Sequence, residues 1–140
     1  MLKFISALLL IFCLFSCTPA HFTPGNYKSA QLKFGSRGGV TGVFKEYTLL
    51  ENGQLFLSRG VGKELKELSR RDKRKTRRIF RTAGELNLGT LKFSHPGNVT
   101  FYLVLKNPKK TSEISWGDPG FPPPPGIKEF YDYLLTTIQP

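Results

Sequence analysis

The chain has 140 residues, a formal net charge of +11, and many glycines (14) and prolines (10). This length allows one small domain, and the charge favours anionic partners: lipid headgroups, glycan phosphates, acidic proteins or nucleic acid. The two cysteines, Cys13 and Cys17, both lie near the N-terminus, which excludes a disulfide framework and a cysteine-based metal site in the body of the protein.

The first residues have the pattern of an export signal. Lys3 and the free amino terminus are positive, and residues 4–15 form a twelve-residue stretch whose one polar member is Ser6. Such a stretch is too short for a stable membrane-spanning anchor and is typical of a secretory signal peptide. We therefore predict that residues 1–16 are a signal peptide.

The apolar stretch ends in Leu14-Phe15-Ser16-Cys17, which resembles the lipobox of bacterial lipoproteins. In that family the cysteine sulfur, a good nucleophile as its thiolate, receives a diacylglycerol, and the peptide is cut before the cysteine. The resemblance implies that Cys17 is lipidated. Because no Asp follows Cys17, it also implies the outer membrane, facing the periplasm, if the source is Gram-negative. The alternatives are an ordinary signal peptide cut after Ala20 and, third, a protein that is not secreted.

Residues 17–27 contain two prolines and a glycine, so we predict that they are a tether and that residues 28–140 form a single domain. Alternating apolar and β-branched residues then predict three strands, at residues 30–34, 40–50 and 54–58. Asn52-Gly53 joins the second and third of these and is a strong hairpin signal. The first half is therefore predicted to be a three-stranded antiparallel meander.

Residues 69–81 read SRRDKRKTRRIFR, in which eight of thirteen residues are Lys or Arg. Ser69 and Asp72 have the spacing of a capping box, which predicts a helix with Ser69 as its N-cap. At 100° per residue one helix face is apolar, with Thr76, Ile79, Ala83 and Leu86, and Phe80 at its edge. The opposite face is cationic, with Arg70, Arg74, Arg77, Arg78 and Arg81. Residues 63–68 fit either the first turns of this helix or a fourth strand.

The clearest strand signal is VTFYLVLK at residues 99–106, which we predict to be central, with an antiparallel return strand at 112–116. The prolines at 122–125 are interpreted as a stiff crossover. Apolar residues then recur at helical spacing at Ile127, Phe130, Tyr131, Leu134, Leu135 and Ile138. The sequence thus predicts an α+β fold, in which two amphipathic helices pack on one face of a single antiparallel sheet of about five strands.

The basic helix has the charge pattern of a nucleic-acid-binding element. A signal peptide, however, directs the chain to a compartment without routine nucleic acid, so we predict no nucleic-acid partner. Three interpretations stay open: a solvated face, contact with anionic lipid headgroups, or contact with an acidic envelope protein. Each Lys or Arg beside an anionic membrane contributes about 1 kcal/mol, and a lipid anchor keeps the membrane close.

A second candidate surface comprises Arg37, Gly39, Tyr102 and Trp116. The glycines of residues 35–42 resemble a phosphate cradle, but such cradles precede a helix, and here a strand follows. Catalysis lacks support because the only histidines are His21 and His95 and no carboxylate pair is recognisable. We therefore expect a non-catalytic protein without cofactor or metal. The alternatives are a small periplasmic binding module for a ligand or peptide and, third, an enzyme.

Several turn motifs are similar to those of small uncharacterised lipoproteins of Gram-negative bacteria: Gly38-Gly39-Val40-Thr41-Gly42, Asn52-Gly53, Pro96-Gly97-Asn98 and Trp116-Gly117. The similarity covers most of the mature chain. It implies a cell-envelope location and carries no activity. The leading hypothesis is therefore a lipid-anchored envelope protein whose membrane contact is made through the anchor and the basic helix.

Overall fold

The computed structural model describes residues 20–60, 62 and 64–139. The predicted signal peptide, the predicted lipidation site Cys17 and the first residues of the predicted tether lie outside this range. The described residues form seven strands and two helices, which are β1 (Gln31–Gly38), β2 (Val43–Leu50), β3 (Leu55–Arg59), β4 (Glu64–Leu68), α1 (Lys73–Glu85), β5 (Phe93–His95), β6 (Val99–Lys106), β7 (Thr111–Trp116) and α2 (Ile127–Thr137).

The seven described strands form one mixed sheet, in the order β4-β3-β2-β1-β6-β7-β5. Five neighbouring pairs are antiparallel, whereas β5 and β7 run parallel. The parallel pair arises because the β6–β7 hairpin inserts β7 between β5 and β6. The prediction of an antiparallel sheet of about five strands is therefore wrong in both strand number and pairing.

The two strands that the prediction lacked are the edge strands β4 and β5. Strand β4 has the sequence ELKEL and is exposed except at half-buried Leu68, so it shows no buried apolar alternation. The sequence left open whether this stretch is a helix or a strand, and the structure shows a strand at Glu64–Leu68. Strand β5 has three residues, which is too few for any periodicity to be read.

The hydrophobic core lies on one side of the sheet, here called the helix face. Direct partners across neighbouring strands project to the same side, and on this side the strands carry Leu32, Phe34, Tyr47, Leu49, Leu55, Leu57, Leu103, Leu105, Ile114 and Trp116. Both helices pack into the same core, to which they contribute Ile79, Ala83, Ile127, Phe130, Tyr131 and Leu134. Fully burying a large apolar side chain stabilises by roughly 1.5–3 kcal/mol, so this layer is the main source of stability.

Helix α1 begins one turn later than the sequence suggests. Its N-cap is Asp72, not Ser69: one Asp72 carboxylate oxygen accepts from the backbone N–H of Arg74 and of Lys75, at 2.9 and 3.0 Å. Before the cap, the backbone N–H of Arg71 donates to the carbonyl of Gly53 at 2.7 Å. This hydrogen bond links the β2–β3 turn to the segment that connects β4 with α1. The predicted helical phase is confirmed, since Thr76, Ile79 and Ala83 are the buried residues of α1.

Helix α2 is fixed to the sheet by both packing and a hydrogen bond. Its buried residues Ile127, Phe130, Tyr131 and Leu134 all belong to the predicted apolar face, and Leu135 and Ile138 pack at the margin of the core. The Tyr131 hydroxyl donates to the carbonyl of Gly35 in β1 at 3.0 Å. The Tyr131 ring also meets Trp116 edge-on, with centroids 5.2 Å apart.

Candidate functional site

The N-terminal segment, residues 20–30, lies against the folded domain rather than projecting from it. The backbone carbonyl of Phe22 accepts from the Gln54 side chain at 3.0 Å, and His21 Nε2 lies 2.8 Å from a Glu67 carboxylate oxygen. Hydrogen bonding from Gln54, followed by that from His21, holds the pKa of the Glu67 carboxyl below its ordinary value. These contacts connect the segment to the β2–β3 turn and to the edge strand β4.

Next to this segment, the cations of α1 line a groove of about 710 Å³. Its apolar lining residues are Phe22, Phe80 and Ala20, the first described residue, and its uncharged polar and acidic ones are Asn52 and Glu51. Its cations are Arg70, Lys73, Arg77 and Arg81. We call this concavity the basic groove. Lys73, Arg77 and Arg81 recur every four residues, and residues at this spacing stack along one side of a helix.

The basic groove is open to solvent and strongly positive. A second concavity of about 680 Å³, lined only by charged residues, lies beside it on α1. Arg74 and Arg78 line the second concavity alone, and Arg77 and Arg81 line both. Of the cations in the two concavities, Arg81 alone has a carboxylate within 4.0 Å among the described residues, Glu85 at 3.7 Å. Asp72 caps the helix. The capping hydrogen bonds lower the pKa of its carboxyl group, and the bond from the backbone N–H of Lys75 has the largest effect. The helix therefore presents nearly all of its positive charge to the solvent.

The structure leaves all five predicted arginines exposed, although Arg70 precedes the helix rather than belonging to it. Their contact with an anionic surface stays a prediction. Sequence reasoning missed Phe22 and Lys73 as members of the groove. Lys73 carried a usable signal, its four-residue spacing from Arg77, whereas Phe22 reaches the groove through a long-range hydrogen bond that has no local signature.

The second predicted surface is divided between the two sides of the sheet. On the side opposite the helix face, the Arg37 guanidinium lies 4.9 Å from the centroid of the Tyr102 ring. Trp116 lies on the helix face in the core, 6% exposed, because its cross-strand partner is Phe101 and not Tyr102. Gly39 lies in the β1–β2 turn, where its N–H donates to the carbonyl of Asn98 at 2.8 Å. The structure thus brings Arg37 and Tyr102 together and separates Trp116 from them.

Around Tyr102 the sheet carries a network of charges that borders a cavity of about 350 Å³. The Tyr102 hydroxyl donates to Glu46 at 2.9 Å, and Lys33 lies 3.4 Å from the other oxygen of that carboxylate. Arg37 pairs with Glu113 at 2.8 Å. Burial, followed by the nearby Glu46 charge, raises the pKa of the Tyr102 hydroxyl far above its ordinary value. The hydroxyl therefore stays protonated and acts as a hydrogen-bond donor.

Within residues 20–60, 62 and 64–139, no group of three or more His, Cys, Asp or Glu side chains is arranged to hold a metal ion. In the same part of the chain, no helix has both the length and the apolar character needed to cross a membrane. No protein-family model matches the chain, and no curated protein is significantly similar to it in sequence.

Proposed function

We propose that this chain is a non-catalytic, lipid-anchored protein of the cell envelope that holds its basic groove against an anionic membrane surface. The observation that carries the proposal is the position of Ala20 in the basic groove, beside the cations of α1. Cys17, the proposed lipidation site, lies three residues before Ala20. The anchor and the positive surface would therefore meet the membrane on the same side of the domain.

The reach of the chain supports this arrangement. Three extended residues span at most about 10 Å, so a lipid on Cys17 would keep Ala20 within that distance of the membrane. The Debye length at 0.1 M salt is also about 10 Å. The cations of the basic groove would thus remain inside the range over which anionic headgroups act.

The charges are positioned before any membrane contact is made. Buried Thr76, Ile79 and Ala83 fix the rotation of α1 about its axis, and the capping by Asp72 fixes its first turn. Each cation close to an anionic surface contributes about 1 kcal/mol, so the four cations of the groove, offset by its one acid, Glu51, supply about 3 kcal/mol. This is enough to orient a domain that a lipid already keeps at the membrane.

Vesicle binding tests the proposal. The chain without residues 1–17 retains every described residue and should bind phosphatidylglycerol vesicles but not phosphatidylcholine vesicles. Replacing Lys73, Arg77 and Arg81 with Gln should weaken binding by about 3 kcal/mol, or about one hundredfold. Raising the salt concentration from 0.1 to 1 M shortens the Debye length from about 10 to about 3 Å and should also release the protein.

The matched control removes the same charge elsewhere: Lys92, Lys109 and Lys110 are exposed and line neither the basic groove nor its neighbour on α1. Changing these three to Gln should weaken vesicle binding less than the triple change on α1 does, because they lie outside the groove. Equal binding to both kinds of vesicle, or an equal loss of vesicle affinity in the two triple variants, would contradict the proposal. The cationic face of the basic helix would then be interpreted as a solvated face.

A further inference from the structure

A separate groove of about 1080 Å³ lies on the helix face, between the C-terminal end of α2 and strands β2, β3 and β4. We call it the β4 groove. Ligand sites for small molecules commonly occupy 300–1,000 Å³ and combine an apolar lining with a few polar groups. The β4 groove reaches the upper end of that range, and Glu67, which His21 of the N-terminal segment contacts, also lines it.

The strand register arranges the floor of this groove in three rows, which lie across β2, β3 and β4. From the interior outwards, the rows are Leu49–Leu55–Leu68, Tyr47–Leu57–Lys66 and Lys45–Arg59–Glu64, and in the innermost row only Leu68 lines the groove. Successive rows are two residues apart, roughly 7 Å along a strand. The floor therefore changes from apolar to charged within about 14 Å. A ligand that fits this floor has a hydrocarbon part at one end and a charged group at the other.

The inner end of the groove is apolar on both sides. Tyr47 and Leu57 form its floor on the sheet and are buried. Leu135 and Ile138 form the opposite wall at the end of α2, where both are half-buried and pack at the margin of the core. A hydrocarbon chain placed between these side chains would be removed from water, and this removal is the main driving force for binding apolar groups.

The outer end of the groove carries unpaired positive charge. Lys45 and Arg59 line it, and Lys66 lies in the middle row next to it. Among the described residues no carboxylate lies within 4.0 Å of any of these three cations. Lys45 Nζ lies instead 5.3 Å from the centroid of the Tyr47 ring, above the apolar floor. Two acids, Glu64 and Glu67, also line the groove, so its three cations exceed its acids by one.

We propose that the β4 groove binds a single-chain amphiphile: an acyl chain between α2 and the sheet, with its anionic headgroup at Lys45 and Arg59. A second polypeptide strand fits the site less well. The edge strand β4 carries charges at Glu64, Lys66 and Glu67, and charged edge strands resist the addition of further strands. The site is distinct from the basic groove, and no residue is shared between the two.

Isothermal titration in the absence of membranes tests the site, with each amphiphile below its critical micelle concentration and the chain lacking residues 1–17. Palmitate and 16-carbon lysophosphatidylglycerol should each bind one to one. If both amphiphiles bind, either anionic headgroup is sufficient for recognition. If only one binds, it identifies the natural ligand as a fatty acid or as a lysophospholipid. Hexadecanol and lysophosphatidylcholine, which lack net negative charge, should bind at least tenfold more weakly.

Two variants separate the headgroup end of the site from the acyl end. Replacing Lys45 and Arg59 with Gln should weaken palmitate binding at least tenfold without changing the unfolding midpoint, whereas the change of Lys109 and Lys110 to Gln should have no effect. Ile138→Glu places a charge beside the acyl chain and should also weaken binding at least tenfold; its folding is checked by the same midpoint. The absence of saturable binding of either anion, or equal binding of hexadecanol and palmitate, would overturn the proposal. A dimer whose β4 edges pair and exclude palmitate would overturn it as well.

Discussion

Shortening Leu134 to alanine tests whether α2 is an integral part of the core. Leu134 is 0% exposed and packs in the same cluster as the helix-face strands. The substitution removes three carbon groups, worth about 0.8 kcal/mol each in transfer free energy, or about 2.4 kcal/mol. The remaining cavity adds to this, and buried Leu→Ala changes cost about 2–5 kcal/mol in all. We expect the free energy of unfolding to fall by about 3–4 kcal/mol, as measured by chemical denaturation.

Thr136→Ala is the matched control for this measurement. Thr136 lies on the same helix, is exposed, and makes a local hydrogen bond to the Tyr133 carbonyl at 2.7 Å. The Thr136→Ala substitution should change the free energy of unfolding by about 0.5 kcal/mol or less. A Leu134→Ala effect as small as that of the control would refute the packing described here, because it would mean that α2 is not docked on the sheet.

Two further predictions concern the anchor and the helix cap. Cys17→Ser should abolish lipid labelling and release the protein from the membrane fraction. An unchanged mass and unchanged membrane fractionation would contradict the proposed lipidation. Asp72→Ala should lower the thermal midpoint at pH 7, because α1 loses the side-chain acceptor of two backbone N–H groups. Since the pKa of Asp72 is held below its ordinary value of 3.8, its stabilisation is present above that pH and is lost as pH falls through the depressed pKa. Melting curves should therefore converge in strong acid, and a constant difference at every pH would contradict the capping role.

Elements with a strong local pattern could be predicted from the sequence. The alternation in β6, the Asn52-Gly53 turn and the helical spacing of the apolar residues in α2 each reflect a side-chain periodicity that the backbone imposes. The edge strand β4 could not be identified in this way, because its leucines, Leu65 and Leu68, are three residues apart and imitate a helix. The parallel partnership of β5 depends on the insertion of the β6–β7 hairpin beside it, which no local pattern records.

The candidate site was predictable to a similar extent. The cationic face of α1 follows from a 100° periodicity, and the structure exposes every arginine assigned to it. The position of the N-terminal segment does not follow from any periodicity. It depends on contacts across 32 residues, between Phe22 and Gln54, and across 46 residues, between His21 and Glu67. The prediction of Ser69 as the N-cap is wrong: Ser and Asp are comparable N-caps, and Asp72 is the one whose side chain accepts from the free backbone N–H groups.

The distance of the basic groove from the membrane in the lipidated protein tests the proposed orientation. Val40 is fully exposed in the β1–β2 turn, at the end of β1 opposite to the N-terminal segment. If Cys17 carries the lipid and the signal peptide has been removed, a cysteine introduced at position 73 or 40 is the one free thiol and accepts a fluorescent label. With a quencher attached to the lipid headgroups of phosphatidylglycerol vesicles, the label at Lys73→Cys should be strongly quenched and the label at Val40→Cys weakly quenched. Equal quenching at the two positions, or stronger quenching at position 40, would contradict the proposed orientation.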